Sequence, residues 1–208
     1  MPVSHQLKAI FVHIPKNAGE SIEKKLGMYG NGGNLLDTLW GVRGNHVLQH
    51  LTMAQIGSMY LPEEVVQGYF KFAFIRNPWD KAVSEYHWYL RYGAPVSFLD
   101  WVRSLESRVS RRENLHVLEI GHNIPQHEFI YQDGKDLLVD YVGRFERLQA
   151  DFDHVCRMLG VADSMLYKDA STASSGRRGY REYYNKESRD IISRLYMKDI
   201  DLFGYRFD

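Results

Sequence analysis

Two short stretches of the chain carry residue types that bind anionic groups. Residues 13–21 read HIPKNAGES after the apolar run at 9–12, and residues 76–86 read RNPWDKAVSEY after the apolar run at 72–75. Each pattern is typical of a strand that ends in a turn and continues as a helix, which directs backbone N–H groups toward an anion. Together the two stretches predict a ligand that carries phosphate groups at two places.

The first stretch has the parts of a phosphate-binding loop. Pro15 stiffens its start, and Gly19 permits close backbone approach. Lys16 supplies a point charge and Ser21 offers a hydroxyl. The nucleotide-binding pattern G-x-x-x-x-G-K-[ST] is absent, because Lys16 precedes Gly19 and no glycine opens the loop. By itself, the stretch fits a tight strand–helix connection with a solvated lysine equally well.

The second stretch makes a phosphate site more specific. Arg76, at the end of its apolar run, can bind a phosphate through two parallel hydrogen bonds, which a lysine cannot reproduce. Pro78 suits the first turn of a helix, where its missing N–H costs nothing. Ser84 lies two turns into that helix, and a serine there is by itself ordinarily a surface residue. It is the combination of these residues with Tyr86 in one unit that favours a binding site.

The elements that position these stretches alternate along the chain. Buried strands lead into both stretches, a helix follows each of them, and Thr52 is expected to cap a further short helix. The predicted elements are strands at 7–13, 69–75, 128–131 and 137–145 and later helices at 148–159 and 186–196. Such alternation indicates an α/β fold, a three-layer sandwich with a central parallel sheet. We expect residues 1–208 to form a single domain.

The composition is that of an ordinary globular protein. The chain has 208 residues, of which 44% are hydrophobic and 25% charged, and its formal net charge is zero. A neutral chain has no overall field that attracts nucleic acid or a membrane surface, so an anion must be bound by local groups. Cys156 is the single cysteine, which excludes an intrachain disulfide and suits a reducing compartment. With no apolar run of about 20 residues and no room for a signal peptide, we expect a soluble, cytoplasmic protein.

In these two stretches and their order, the sequence resembles the sulfotransferases that use 3′-phosphoadenosine 5′-phosphosulfate (PAPS). It is most similar to the branch with the carbohydrate sulfotransferases of the heparan type and their bacterial relatives. In that family, H-[IV]-P-K-T-[AG]-[GS]-T-S binds the 5′-phosphosulfate and R-[ND]-P-x-x-R-x-x-S-x-Y binds the 3′-phosphate. The likeness extends to residues 143–146 and 180–205. It implies a P-loop nucleotide-kinase-like sulfotransferase fold.

The resemblance also implies which residues bind the donor. Those of the first stretch are Pro15, Lys16, Asn17, Ala18, Gly19, Glu20 and Ser21, and those of the second are Arg76 and Ser84. Three positions depart from the family pattern, since Asn17 replaces a threonine, Glu20 replaces a hydroxyl residue and Lys81 stands where arginine is frequent. Glu20 either places a carboxylate near the phosphosulfate, which weakens binding, or points away and stabilises the helix N-terminus.

Sulfuryl transfer needs charge support for the leaving oxygen and a base for the acceptor hydroxyl. Lys16 fits the first role, and Ser21 assists it by hydrogen bonding or by holding the lysine back. His50 is the candidate base and His46 the alternative, because an imidazole titrates near working pH. The resemblance favours His50, since related carbohydrate enzymes place a base histidine just ahead of a comparable short helix. His13 is expected to support the loop.

Two basic segments complete the candidate set. Family members fold a hydroxyl-rich loop over the nucleotide, which makes Arg177, Arg178 and Tyr180 candidate nucleotide contacts; the alternative is a disordered linker with solvated charges. The arginines at 108, 111 and 112 are expected at a solvated helix end, with an anionic glycan as the alternative ligand.

The sequence therefore predicts a PAPS-dependent sulfotransferase that modifies a hydroxyl, on a carbohydrate or another acceptor, releases the desulfated nucleotide (PAP) and needs no metal. One alternative is an ATP-dependent kinase of the same fold class, which the missing G-K-[ST] order opposes. The other is a non-catalytic module that binds PAPS or PAP, which the departures at Asn17 and Glu20 keep open. No motif identifies the acceptor or the oligomeric state.

Overall fold

The computed structural model describes residues 3–30, 39, 41–44, 46–93, 95–111, 121–166 and 179–208. The strands are β1 (Val3–Ser4), β2 (Ala9–Val12), β3 (Val42–Arg43), β4 (His46–Val47), β5 (Phe70–Ile75), β6 (Tyr131–Gln132), β7 (Asp136–Leu137) and β8 (Tyr141–Arg144). The α-helices are α1 (Gly19–Lys25), α2 (Met53–Met59), α3 (Glu63–Gly68), α4 (Pro78–Tyr92), α5 (Phe98–Arg111), α6 (Gln126–Ile130), α7 (Leu148–Leu159), α8 (Lys186–Leu195) and α9 (Met197–Phe203). Short 3₁₀ helices cover Leu48–His50, Phe145–Arg147 and Tyr180–Tyr183.

The central sheet has the order β1-β2-β5-β8. Two of its three pairings, β2–β5 and β5–β8, are parallel, and β1 pairs antiparallel with β2 at the edge of the sheet. Because Val12 lies opposite Ala73 and Ile75 lies opposite Arg144, the carboxyl ends of the three parallel strands meet at one edge of the sheet. The loops that follow β2 and β5 therefore start side by side.

Helices cover both faces of this sheet, as the burial of consecutive residues in β2 and in the second half of β5 requires. Ile10, Val12, Ala73 and Ile75 pack into one core with residues of α4, α5 and α8. The intervening residues of the same strands pack into a second core with α1 and α7, and these are Ala9, Phe11, Phe72 and Phe74. The predicted α/β architecture with a central, mostly parallel sheet is confirmed.

Several predicted boundaries hold, and the capping residues explain them. α7 has the predicted bounds, and α8 ends one residue early. Thr52 caps α2 through a capping box with Gln55, so His50 lies in the 3₁₀ turn just ahead of the helix. The first strand starts later than predicted, at Ala9, because the positive φ of 48° at Lys8 is not an extended conformation.

One predicted strand is wrong. Residues 128–131 were expected to extend a sheet, but Gln126–Ile130 forms α6 and only Tyr131 continues into β6. Gln126, Phe129 and Ile130 are buried at helical spacing, and Pro125 precedes the first turn. Short apolar runs fit both periodicities, so the sequence pattern alone cannot separate them. The strand predicted at 137–145 is likewise split into β7 and β8.

Among the described residues, no helix combines the length and the apolar character needed to cross a bilayer.

Cys156 is buried in the second core, and burial raises the pKa of its thiol.

Candidate functional site

The first loop, residues 14–18, connects β2 to α1. Its backbone passes through left-handed conformations at Lys16 and Ala18, whose φ angles are 69° and 65°. Within the described part of the chain, backbone hydrogen bonds do not use the N–H groups of Asn17, Ala18 and Gly19. A loop of this kind presents unused N–H groups to an anion.

The second loop, Arg76 and Asn77, connects β5 to α4. The Asn77 side chain caps α4 by accepting a hydrogen bond of 3.0 Å from the backbone N–H of Trp79, and Pro78 occupies the first helical position. The backbone N–H of Asn77 donates to Glu146 over 2.6 Å. The second loop is therefore fixed at both of its ends.

The Arg76 guanidinium joins the two loops. Its Nη1 donates to the backbone oxygen of Lys16 over 2.9 Å, and its Nε donates to Asp80 over 2.7 Å. The guanidinium carbon lies 3.8 Å from the centre of the Phe145 ring, so a cation–π contact holds its flat face. Since Arg76 is only 8% exposed, its position is set by these contacts.

Asn17 and Gln126 connect the same two loops through a second set of hydrogen bonds. The Asn17 amide nitrogen donates to the Phe74 oxygen (2.7 Å) and to the Gln126 side-chain oxygen (2.9 Å). Gln126 in turn bonds both the N–H and the carbonyl of Arg76, over 2.9 and 2.8 Å. A threonine hydroxyl has one donor and could not bind both oxygens. The asparagine that departs from the family pattern thus has a structural role here.

Lys16 extends from the first loop into a charged environment. Burial lowers the pKa of its amine to about 8, Glu85 opposes that effect, and the positive charges of Arg76 and Lys81 add to it. Glu85 and Lys81 lie on α4, so the Lys16 amine approaches this helix. At neutral pH the amine is still mostly protonated, which suits stabilisation of negative charge.

Ser84 also lies on α4, buried and one turn beyond Asp80. Residues four apart share a helix face, and Asp80 is the partner of Arg76, so Ser84 lies on the side of α4 that faces Arg76. Ser21 is buried on α1, near the end of the first loop. The structure thus brings Lys16, Arg76 and Ser84 to one region.

A histidine cluster borders Lys16; its members are His13, Glu23, His50, Lys81, Glu85 and His122. His13 Nδ1 is hydrogen-bonded to Glu23. His122 Nδ1 is 2.7 Å from one oxygen of Glu85, and Lys81 donates to the other over 2.9 Å. The His50 ring lies between the two other rings, with centroids 4.7 Å from His13 and 5.3 Å from His122. The cluster is buried beside the point where the two loops meet.

His50 Nδ1 has a hydrogen-bond partner, whereas Nε2 has none among the residues that the structure describes. Its Nδ1 lies 3.2 Å from the backbone oxygen of His13. A carbonyl only accepts, so Nδ1 carries the proton and Nε2 has the free lone pair. Burial, and then the positive charge of His13 and His122, lower the pKa of His50 well below 6.5. The ring is neutral at physiological pH.

A cleft opens next to this cluster between α4 and α5, with a volume of about 460 Å³ that includes space open to solvent. Lys81, Glu85 and His122 line one part of it, and Trp88, Tyr89 and Trp101 another. The Trp88 ring stacks on His122 with centroids 4.3 Å apart. Trp101 Nε1 is buried, and among the described residues it has no hydrogen-bond partner. The α4–α5 cleft can thus hold a partly apolar ligand beside the histidine cluster.

Other predicted residues lie elsewhere. Glu20 is exposed and pairs with Lys24 over 2.8 Å. His46 lies in β4, where its Nδ1 is 2.6 Å from the Tyr60 hydroxyl. The Tyr180 hydroxyl donates to the backbone oxygen of Asp208, in the C-terminal segment. None of these contacts involves Lys16 or Arg76.

The basic segments have different outcomes. Arg108 is 6% exposed and lines the α4–α5 cleft, so the prediction of a solvated position was wrong for it. It packs there because its guanidinium carbon lies 5.5 Å from the centre of the Tyr89 ring and its Nη2 donates to Ser104 over 3.0 Å. Arg177, Arg178 and Arg112 lie outside the described residues.

Sequence reasoning missed Glu23, Glu85, His122 and Gln126. A weak signal existed for Glu85, which follows Lys81 at the spacing of a helical ion pair. No local pattern distinguishes His122 or Gln126, because their partners are 37 and 109 residues away in the chain.

Comparison with known families decides the class of this protein. The model of the sulfotransferase family matches residues 1–206. The chain belongs to the sulfotransferase family. Membership indicates a transferase that moves a sulfuryl group to a hydroxyl-bearing acceptor.

This sulfotransferase also matches an uncharacterized protein of Archaeoglobus fulgidus. The two are 29% identical over 105 residues, which cover 50% of this chain and 78% of the relative. No solved structure matches the chain.

Within the described ranges, no group of three or more histidine, cysteine or acidic side chains could hold a metal ion.

Proposed function

We propose that this sulfotransferase transfers the sulfuryl group of PAPS to a hydroxyl of a carbohydrate and releases PAP. The observation that carries the proposal is the hydrogen bond from Arg76 to the Lys16 backbone, which joins the two loops into one anion-binding surface. A cytoplasmic location stays a prediction of the sequence.

The donor occupies both loops in this proposal. The unused N–H groups of the first loop and the Lys16 amine bind the 5′-phosphosulfate. Pro15, Asn17, Ala18, Gly19 and Ser21 shape that loop, and Glu20 borders it. Arg76 and Ser84 bind the 3′-phosphate from one side of α4. Tyr180, Arg177 and Arg178 stay predicted nucleotide contacts.

The chemistry is an in-line displacement at sulfur. The acceptor oxygen bonds to sulfur as the bond from sulfur to the bridging phosphate oxygen breaks. Lys16 stabilises the negative charge that develops on the departing oxygen, and Ser21 orients the lysine. His50 Nε2 takes the acceptor proton, since it is the open nitrogen of a neutral imidazole.

The acceptor enters through the α4–α5 cleft. This cleft adjoins Glu85, the charge that acts most strongly on Lys16, and so it leads to the proposed transfer point. Trp88, Tyr89 and Trp101 supply flat apolar surfaces of the kind that pack against a sugar ring, and Asn123 adds an amide. These features support a carbohydrate acceptor.

The experiment compares three nucleotides by thermal shift and then measures transfer. PAP should stabilise the protein most, adenosine 5′-phosphate less because it lacks the 3′-phosphate, and ATP least. Transfer from radiolabelled PAPS is then measured on a panel of sugars, phenols and alkyl alcohols. Preference for ATP would overturn the donor assignment and favour a kinase. PAP binding without transfer to any acceptor would favour a binding module.

His50→Ala and His46→Ala form a matched pair for the base. His50→Ala should lose nearly all transfer and keep its affinity for PAP, whereas His46→Ala should retain transfer, since His46 contacts Tyr60 instead. The reverse result would reassign the base to His46.

A further inference from the structure

His50 lies between two buried pairs, each made of a glutamate and a histidine. Glu23 of α1 holds His13, and Glu85 of α4 holds His122. Both outer rings meet the His50 ring edge to face, at interplanar angles of 74° and 86°. Glu23 is 0% exposed and Glu85 is 7% exposed, and isolated carboxylates at such depth are costly. Each carboxylate is therefore built into the cluster through its histidine partner.

Close backbone approach brings the three rings together. A Cβ at Gly121 would lie 2.7 Å from the Cβ of His50, so only glycine fits between His50 and His122. Gly121 also has a φ of 93°, which favours glycine. A Cβ at Gly19 would lie 2.0 Å from atoms of the His13 ring. The glycines at positions 19 and 121 therefore permit this close packing.

The hydrogen bonds indicate that Nδ1 carries a proton in all three imidazoles. A carboxylate accepts, so the Nδ1 atoms of His13 and His122 carry protons that point to Glu23 and Glu85. The Nδ1 of His50 points to a backbone oxygen, which cannot offset a full positive charge. The outer histidines thus have a negative partner each, and His50 has none among its described contacts.

We propose that His13–Glu23 and His122–Glu85 are positioning pairs that keep His50 neutral, with Nδ1 protonated and Nε2 open to take the acceptor proton. The inference rests on the proposed sulfuryl transfer for its chemical purpose. The proton of the acceptor hydroxyl moves to Nε2 as the acceptor oxygen bonds to sulfur. The resulting imidazolium returns the proton to solvent after the products leave.

The electrostatics agree with this arrangement. Burial would raise the pKa of Glu85, but His122 and Lys81 lower it to about 2, so this carboxylate is ionised. Positive charge on His13 and His122 adds to burial and lowers the pKa of His50. A group with a lowered pKa is unprotonated above that pKa, so His50 stays available as a base at pH values where an ordinary histidine is protonated. Lys81 and Lys16 are the other charges near Glu85.

The direct test uses the free protein with isotope-labelled histidine and needs no donor or acceptor. Two-bond proton–nitrogen NMR correlations identify the tautomer of each ring, and a titration from about pH 5 to 8 follows its protonation. Loss of one signal set in His50→Gln assigns His50. We expect the neutral form of His50 to carry its proton on Nδ1 and its midpoint to lie well below 6.5, and the titration is continued to lower pH until that midpoint is reached. Titration near 6.5, or a proton on Nε2 in the neutral form, would overturn the proposal.

The variant test is His122→Asn, which removes a neighbouring imidazole that lowers the pKa of His50, while Glu85 keeps Lys81. The NMR midpoint of His50 and the acid limb of the kcat/KM profile should both move to higher pH. His154→Asn is the control, because His154 lies on α7 and stacks on Tyr141, outside the histidine cluster, and neither quantity should move. Equal loss of kcat/KM at every pH, with an unmoved midpoint, would make His122 merely structural and overturn the proposal.

The two tests separate this inference from the proposed function. A shifted midpoint in a protein that transfers sulfuryl to no acceptor would support the positioning pairs and overturn the sulfuryl transfer.

Discussion

The two loops and the histidine cluster lie next to each other, yet the chain builds them in different ways. The loops are two continuous segments, each placed by the strand before it and the helix after it. The cluster takes its histidines and glutamates from residues 13, 23, 50, 85 and 122. A group that binds charge can be made locally, whereas a group that moves a proton needs partners that burial makes specific.

The two regions also differ in how they carry charge. The loops carry the cations Lys16 and Arg76, and the first loop has N–H groups that backbone hydrogen bonds of the described residues do not use. In the cluster, every buried carboxylate is matched by a histidine or a lysine. Lys16 connects the regions, since its backbone oxygen holds Arg76 and its amine responds to Glu85. Changes on either side of Lys16 should therefore have different kinetic signatures.

The largest effect is expected at Lys16 itself. Lys16→Met keeps the length of the side chain and removes its charge, so kcat should fall by about 10²–10³-fold, as for loss of one group that stabilises transition-state charge. The dissociation constant for PAP, measured by calorimetry, should change far less. Lys186→Met, at a side chain that is 86% exposed, is the control. Equal losses in affinity and kcat would contradict leaving-group support.

Arg76→Ala should act on binding. The loss of a charge-assisted contact costs about 1.5–3 kcal/mol, or roughly 10- to 150-fold in affinity for PAP. Adenosine 5′-phosphate should lose less, because it has no 3′-phosphate for Arg76. Arg103→Ala, an exposed partner of Glu187, should leave both affinities unchanged. Equal losses for the two nucleotides would mean that Arg76 only holds the first loop.

Gly19→Ala tests the contact between the regions. A Cβ at Gly19 would overlap the His13 ring, and Glu23 prevents that ring from swinging away. We expect a loss of about 1–3 kcal/mol in the free energy of unfolding, measured in urea. In Gly68→Ala the added Cβ meets nothing within 4 Å, so this variant should keep its stability. Similar stabilities for the two variants would count against the close approach.

The basic limb of the pH profile should report Lys16. Its pKa is about 8, and the amine must be protonated to support the leaving oxygen. The value of kcat/KM should therefore fall above about pH 8, by up to tenfold per pH unit. In Lys16→Met this limb should disappear. Persistence of the limb in that variant would assign it to another group.

The smallest effect is expected for Glu20→Gln. Glu20 is exposed and pairs with Lys24, so its charge should change the affinity for PAP by no more than about 0.5 kcal/mol. A marked gain in affinity would instead place the carboxylate next to the phosphosulfate. The comparison variant is Lys24→Gln, which breaks the same ion pair from its other side.

The sequence alone predicted the two loops that we propose bind the donor, and it did so for a physical reason. Strands buried on both faces read as apolar runs, and Asn77, Pro78 and Thr52 mark helix starts within a few residues. The positions of the two loops then follow from the strands and helices that flank them. The same local rules failed at Gln126–Ile130, where a short buried segment fits helix and strand periodicity alike.

Only the tertiary structure decided which groups surround His50, the base that we propose. Gln126 braces Asn17 across 109 residues, and His122 reaches Glu85 across 37. The lowered pKa values of Lys16 and His50 come mainly from burial. Hydrogen-bonding capacity and charge belong to each residue type and can be read from the sequence. Desolvation and pairing depend on which segments meet in the folded core, and no local pattern records that.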